Sequence, residues 1–201
     1  IKLKPNDFFL FYKRGLVYLS NDKFHLALSD FLKSETLDAS EENITQYKIY
    51  NKIAICFQKT NNMAKALEYY SKNISVLANS SEAYLNRALF FESNENFKQA
   101  EEDYYNAIKL DRKNPFLYEK RGNLYQYKII NEVDDLNNTF LLSISDYSKA
   151  IEFSPSNPEL FYERASVYNS LENYEMSIAD YLRALELDKN DELAYKYGLN
   201  N

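Results

Sequence analysis

Along the chain, aromatic and small residues recur at helical spacing, and the whole block then recurs. The pattern Phe11-x-x-Arg14-Gly15-x-x-Tyr18 returns as Tyr50-x-x-Ile53-Ala54-x-x-Phe57 and as Tyr84-x-x-Arg87-Ala88-x-x-Phe91. It appears again as Tyr118-x-x-Arg121-Gly122-x-x-Tyr125 and as Phe161-x-x-Arg164-Ala165-x-x-Tyr168. The small residue falls at positions 15, 54, 88, 122 and 165, so the period is 34 residues with insertions of 5 and 9. Each copy has a second half, in which Phe31, Tyr70, Tyr104, Tyr147 and Tyr181 are each preceded by four positions by Ala27, Ala66, Ala100, Ser143 and Ser177. Ser34, Ala107, Ala150 and Ala184 follow these rings by three, and Asn73 stands there in the second copy. Spacings of three, four and seven put such residues on one helical face. Each copy therefore predicts two amphipathic helices, with rings of one packed over Gly, Ala or Ser of the other.

The junctions agree with this division. Asn114-Pro115 and Asn157-Pro158 place a capping amide before a proline at the first helical position, where the missing N–H is no loss. Pro155 ends the helix before it, since it cannot continue the hydrogen-bond ladder. A chain of such antiparallel pairs is an all-α solenoid.

The five copies resemble the tetratricopeptide repeat family. The copy from Ser81 to Asn114 runs without a gap, while Met63 and Asn73 depart from the family pattern in the second copy. The resemblance implies a right-handed solenoid forming one domain over 1–201, with repeats at about 8–41, 47–80, 81–114, 115–157 (carrying an insertion near 129–137) and 158–191. Residues 1–7 read as the tail of an earlier repeat, and 192–201, with Tyr195 in the aromatic slot, as the start of a sixth. The expectation is a fragment of a longer protein.

Four copies carry Arg14, Arg87, Arg121 and Arg164, and the same four carry Asp30, Asp103, Asp146 and Asp180 just before the second ring. The copy with Ile53 has Tyr69 instead. Arg and Asp thus come and go together, which predicts structural ion pairs joining helices, because the planar guanidinium suits carboxylate.

Composition narrows the chemistry. Lys and Arg number 24 against 30 Asp and Glu, a balance that gives no basic footprint for nucleic acid. One Cys excludes an internal disulfide, and one His excludes the usual histidine metal sites. No apolar run reaches membrane-spanning length, so the expected setting is cytoplasmic with no membrane insertion. His25 reads as a surface residue and Cys56 as a buried, inert thiol. Glu41-Glu42, Glu101-Glu102-Asp103 and Asp134-Asp135 are sequence neighbours that point apart on a helix. The sequons at Asn43, Asn73, Asn79 and Asn137 read as products of an Asn-rich chain. With no phosphate loop and no nucleophile–base pair, the chain reads as a non-catalytic module without cofactors.

The family resemblance implies that first helices line a concave, partner-binding groove. Its candidates are Tyr12 and Leu16 in the first copy; Lys48, Asn51 and Ile55 in the second; and Leu85, Asn86 and Leu89 in the third. The fourth copy offers Glu119, Lys120, Asn123 and Tyr127, and the fifth Tyr162. A subset of the family grips chaperone C-terminal carboxylates. Asn86 and Lys120 match two of its slots, but Asn51, Ile55 and Phe116 occupy the others, so that clamp is not expected here. The first three copies offer an apolar stripe for a protein or peptide. The insertion, with Ile129, Ile130, Val133 and Leu136 in one stripe, is a second candidate edge. The leading expectation is a scaffold or adaptor; the alternative is a regulatory or substrate-recruiting domain of a larger enzyme.

Overall fold

A computed structural model describes residues 7–37, 44–130 and 136–188. Among them are ten helices and no strand: α1 Phe8–Ser20, α2 Phe24–Leu37, α3 Ile44–Lys59, α4 Met63–Val76, α5 Ser81–Ser93, α6 Phe97–Leu110, α7 Pro115–Ile130, α8 Leu136–Phe153, α9 Pro158–Ser170 and α10 Tyr174–Leu187. The terminal segments 1–6 and 189–201 lie outside the described residues, as do 38–43, with Glu41, Glu42 and the Asn43 sequon, and 131–135, with Asp134 and Asp135. The chain divides into a unit with α1 to α5 and a unit with α6 to α10, meeting at Asn94 and Glu95.

Helices start where side chains can take the orphan N–H groups of a first turn. Asp7 accepts from the Leu10 N–H, Asn62 from Lys65, Ser80 from Ala83 and Asn173 from Met176. Before the two prolines, Asn114 Oδ1 accepts from the Phe116 N–H and Asn157 Oδ1 from Glu159, at 3.2 and 3.1 Å.

Between the helices of four copies the chain turns through a left-handed residue that is not glycine: Asp22, Asn61, Glu95 and Glu172, with φ between 55° and 61°. That region is strained for a residue with a Cβ. Glu172→Gly is therefore expected to stabilise the second unit by about 0.5–1 kcal/mol, net of glycine's greater freedom in the unfolded chain. Urea unfolding checks this, and a lower midpoint would contradict it.

In the first unit Phe31, Ile53, Ala54, Cys56, Ala66 and Tyr70 are buried in one cluster with Phe90. Phe31 lies so close to Gly15 that a Cβ there would come within 2.7 Å of the ring. Ser34, in the small slot after the ring, donates to the Phe8 carbonyl at 2.8 Å. In the second unit Tyr147 lies over Gly122 in tight contact, 3.2 Å from a would-be Cβ. There the small-slot serines also stitch backbones together: Ser143 Oγ donates to the Gly122 carbonyl at 3.1 Å and Ser177 Oγ to the Ala165 carbonyl at 3.0 Å. The slot is small because two helix backbones meet at it.

Burial sets the charge state of this core. It pushes the Cys56 thiol up to about 11, with Lys52 pulling weakly the other way, and the Tyr70 hydroxyl up to about 12. Both groups ionise earlier in the unfolded chain. Stability linked to them is fully present below about pH 9 and is lost as pH rises towards 11 and 12. The urea midpoint should fall between pH 9 and 11, and Cys56→Ala should flatten that fall. A midpoint constant to pH 11 would refute the linkage.

Candidate functional site

The Arg–Asp residues frame the site. Arg14 donates through Nε and Nη2 to the two Asp30 oxygens at 2.6 Å each. Arg121 does the same to Asp146 at 2.7 and 2.8 Å, and Arg164 to Asp180 at 2.7 and 2.8 Å. These are forks that match both oxygens of a carboxylate. Each joins the first and second helix of one copy. Arg164 also donates from Nη1 to Ser148 Oγ on the preceding hairpin, at 2.8 Å. Arg87 makes the equivalent bond to Ser71 Oγ at 3.1 Å. Arg87 and Asp103 belong to different units, and Asp103 is buried. Each of the three guanidinium groups already meets a carboxylate; the Arg121 and Arg164 side chains are mostly buried, whereas that of Arg14 is 43% exposed.

The copy that lacks this pair is held differently. Tyr69 donates to Glu35 Oε2 at 3.0 Å, and Lys72 reaches Glu35 Oε1 at 2.5 Å. Lys72 also lies over the Tyr50 ring, 4.3 Å from its centroid. Burial, then the charge of Glu35, pushes the Tyr69 hydroxyl well above its ordinary range. A similar trio forms in the second unit, where Tyr125 and Lys128 both donate to Glu101, at 2.9 and 3.1 Å. Sequence reading missed both trios. Their partners are 24 to 37 residues apart and do not repeat from copy to copy.

The groove candidates fall into two sets. In the first unit, Tyr12, Asn51 and Asn86 line one cavity of about 290 Å3, together with Lys52, Asn73, Leu77, Ser80, Glu82 and Ala83. These three come from α1, α3 and α5, so successive first helices do contribute to one concave place. Tyr12, Leu16 and Ile55 are partly buried, packed against the core cluster. Leu85 is half-buried and Leu89 is exposed. The Lys48 side chain lies outside the described residues.

In the second unit the candidates are mostly engaged by neighbours. Asn123 Oδ1 accepts from the Tyr147 hydroxyl at 2.7 Å, so its amide faces the hairpin interior. Lys120 pairs with Glu119 at 3.2 Å and lies over the Phe116 ring. Tyr127 packs on Phe97, with centroids 5.2 Å apart, and Tyr162 on Tyr181 at 5.3 Å. The side chains of Ile129, Ile130 and Leu136, and all of Val133, lie outside the described residues.

Other chemistry is sparse. His25 is exposed and Cys56 fully buried. Asn73, the asparagine of a sequon, is 3% exposed. Among the described residues no three His, Cys, Asp or Glu gather as a metal site, and no helix is long and apolar enough to cross a membrane.

Sequence models described as tetratricopeptide repeat match residues 81–114 and 158–191, the third and fifth copies. These two copies are tetratricopeptide repeats. The fold of the chain is that of solved tetratricopeptide solenoids. A crystal structure of MamA superposes with a TM-score of 0.73 at 17% identity, covering 96% of this chain and 97% of MamA. YrrB, described as a TPR protein with an unusual peptide-binding site, gives 0.65 at 15% identity over 98% of this chain and 94% of YrrB. A chain of the APC/C hetero-tetramer Cut9–Hcn1 gives 0.64 at 18% identity, covering 94% of this chain and 35% of that one. No curated protein matches by sequence. At these identities the likeness is one of fold.

Proposed function

We propose that this tetratricopeptide chain is a non-catalytic interaction module of an intracellular assembly, and that its first unit binds a peptide segment of a partner protein. The observation that supports this reading is the cavity shared by Tyr12, Asn51 and Asn86, one residue from each of three successive first helices. Beside it, Leu16, Ile55, Leu85 and Leu89 offer apolar surface for the partner's side chains. The polar groups at the cavity are asparagine amides, the hydroxyls of Tyr12 and Ser80, the Lys52 ammonium and the Glu82 carboxylate, rather than a cluster of cations, which suits a neutral or mixed peptide better than an acidic tail. The peptide-binding description of the YrrB neighbour accords with this use of the fold.

The test is selection of a displayed peptide library on the full chain, followed by affinity measurement on a Tyr12→Ala/Leu85→Ala/Leu89→Ala variant whose helical signal is unchanged. Selected peptides are expected to lose at least about tenfold in affinity, or about 1.4 kcal/mol. Equal binding to both proteins would remove the groove from the reading.

A further inference from the structure

Four positions along α8 meet the hairpin that follows it. Phe140 and Ile144 belong to the cluster of Val167 on α9, Ile151 packs against the cluster of Phe161, and Ser148 Oγ accepts from Arg164. All four are buried or half-buried. The residues 34 positions on are Tyr174, Ile178, Leu182 and Leu185 of α10, and these are 50–58% exposed. Steps of four, four and three put them on one stripe of the helix. The same unit covers the equivalent stripe of α8 with a first helix, so a further helix is the cover that fits α10.

The third position narrows what that helix carries. Where it is serine, the next first helix brings arginine to it: Arg87 donates to Ser71 and Arg164 to Ser148. In the first copy it is Leu32, which packs against the cluster containing the next copy's Ile53. In the third copy it is Tyr105, exposed beside an open cleft that Arg121 also lines, so water reaches that guanidinium. Leu182 offers no acceptor. A guanidinium set over it would lose water without gaining a partner. The first helix of a second copy would bring Arg14 to this place, which disfavours a second copy as the cover.

Residues 189–201 lie outside the described residues, but their sequence keeps the 34-residue register. Arg164 and Val167, which meet α8, correspond to Gly198 and Asn201, and Leu160, one turn earlier, to Ala194. The place over Leu182 thus falls to a residue with no side chain to desolvate. The links agree. Residues 77–80, 111–114 and 154–157 each join one hairpin to the next, and the last of each, Ser80, Asn114 and Asn157, caps the following helix. After Leu187, the equally long link 188–191 ends in Asp191, a residue of the same capping chemistry. A helix over 192–201 would be about 15 Å long, against about 17 Å from Tyr174 to Leu185. So short a helix is marginal alone in water, and the stripe supplies the apolar surface it needs.

We propose that the Tyr174–Ile178–Leu182–Leu185 face of α10 is a docking surface for the chain's own residues 192–201, bound as a helix with Gly198 over Leu182. Occupied in this way, the stripe is withheld from other chains.

The experiment uses the full 201-residue chain labelled with 13C and 15N. Nuclear Overhauser contacts are expected from the Ile178 and Leu182 methyls to the Ala194 methyl and the Gly198 α protons. The amides of 195–201 are expected to exchange at least about tenfold slower than in a free 188–201 peptide. Gly198→Arg separates docking from a helix that merely forms, because arginine favours helix over glycine. Docking predicts that Gly198→Arg removes the protection, while Asn200→Arg, on the opposite side of the segment, leaves it. Missing contacts, exchange at the free-peptide rate, or protection unchanged or raised by Gly198→Arg would each overturn the proposal. So would equal loss in the two arginine variants. A mixture of labelled and unlabelled chains, read with isotope filtering, assigns the contacts. Contacts within one chain support the proposal, and contacts between chains would make a second copy the occupant and overturn it.

Discussion

Asp146→Ala is expected to lower the stability of the second unit by about 3–5 kcal/mol, because it strands a guanidinium that the fold has removed from water. The Arg121 side chain is 18% exposed and Asp146 5%, and both carboxylate oxygens are taken by Arg121. Burial pulls Arg121 down, yet the hydrogen bonds and charge of Asp146 outweigh it and hold the group above its ordinary value. For Asp146, burial is the larger influence and raises the carboxyl despite Arg121, with Glu101 adding to the rise. Desolvation therefore offsets most of what the attraction supplies, and the pair's net worth is far smaller than the penalty for breaking it. Two further variants separate these quantities. Arg121→Met/Asp146→Leu removes both charges and should recover most of the lost stability. Asp30→Ala should be milder than Asp146→Ala, since the Arg14 side chain is 43% exposed and stays hydrated when freed. Urea unfolding followed by circular dichroism reads all three. A double variant as unstable as the single would mean the pair contributes net stability, and an Asp146→Ala chain with an unchanged midpoint would mean the fork carries no energetic weight.

The hairpins were legible in the sequence because their cause is local and repeated. The spacing of Phe31 from Ala27, or Tyr147 from Ser143, states a helical face, and the asparagines before Pro115 and Pro158 state where two helices start. The Arg–Asp partners were visible for a different reason: four copies of one chain act as their own comparison set, and Ile53 with Tyr69 supplies the exception. What stayed hidden has no such internal copy. The Glu35–Tyr69–Lys72 and Glu101–Tyr125–Lys128 trios each occur once in their geometry, so no recurrence marks them. Asn123 looks like a groove residue by register, but its amide is within reach of Tyr147 and is drawn inward. The left-handed turn residues were hidden because Asp22, Asn61, Glu95 and Glu172 are of three types and none is glycine. Asn73 stood out as a departure from the small-residue slot, but only packing shows that its oxygen is buried without a hydrogen-bond partner.

Tyr147→Ala is expected to destabilise the second unit by about 3–5 kcal/mol, the range for removing a large ring from a core that cannot collapse. The ring is fully buried between Gly122 and the cluster it forms with Phe140 and Val167. Its hydroxyl lies 2.7 Å from Asn123 Oδ1 and 2.9 Å from Gln126 Oε1, donating towards both. Tyr147→Phe keeps the ring and removes only the donor, so it should lose about 0.5–1.5 kcal/mol. The gap between the two variants measures the ring. Glycine substitutions probe the same contact from the other side. A Cβ on Gly122 would sit 3.2–3.3 Å from Tyr147 ring atoms, a distance the ring can relieve by a few tenths of an ångström. Helix propensity then favours Ala by about 1 kcal/mol, and Gly122→Ala should be close to neutral. At Gly15 the same Cβ would come within 2.7 and 2.8 Å of Phe31, whose ring is fully buried. There overpacking of about 1–3 kcal/mol exceeds the propensity gain, and Gly15→Ala should destabilise the first unit. The sign of the difference between the two glycine variants is the decisive reading. If Gly15→Ala proves as harmless as Gly122→Ala, the first hairpin is looser than its geometry states, and ring-over-backbone contact does not set the spacing of these helices.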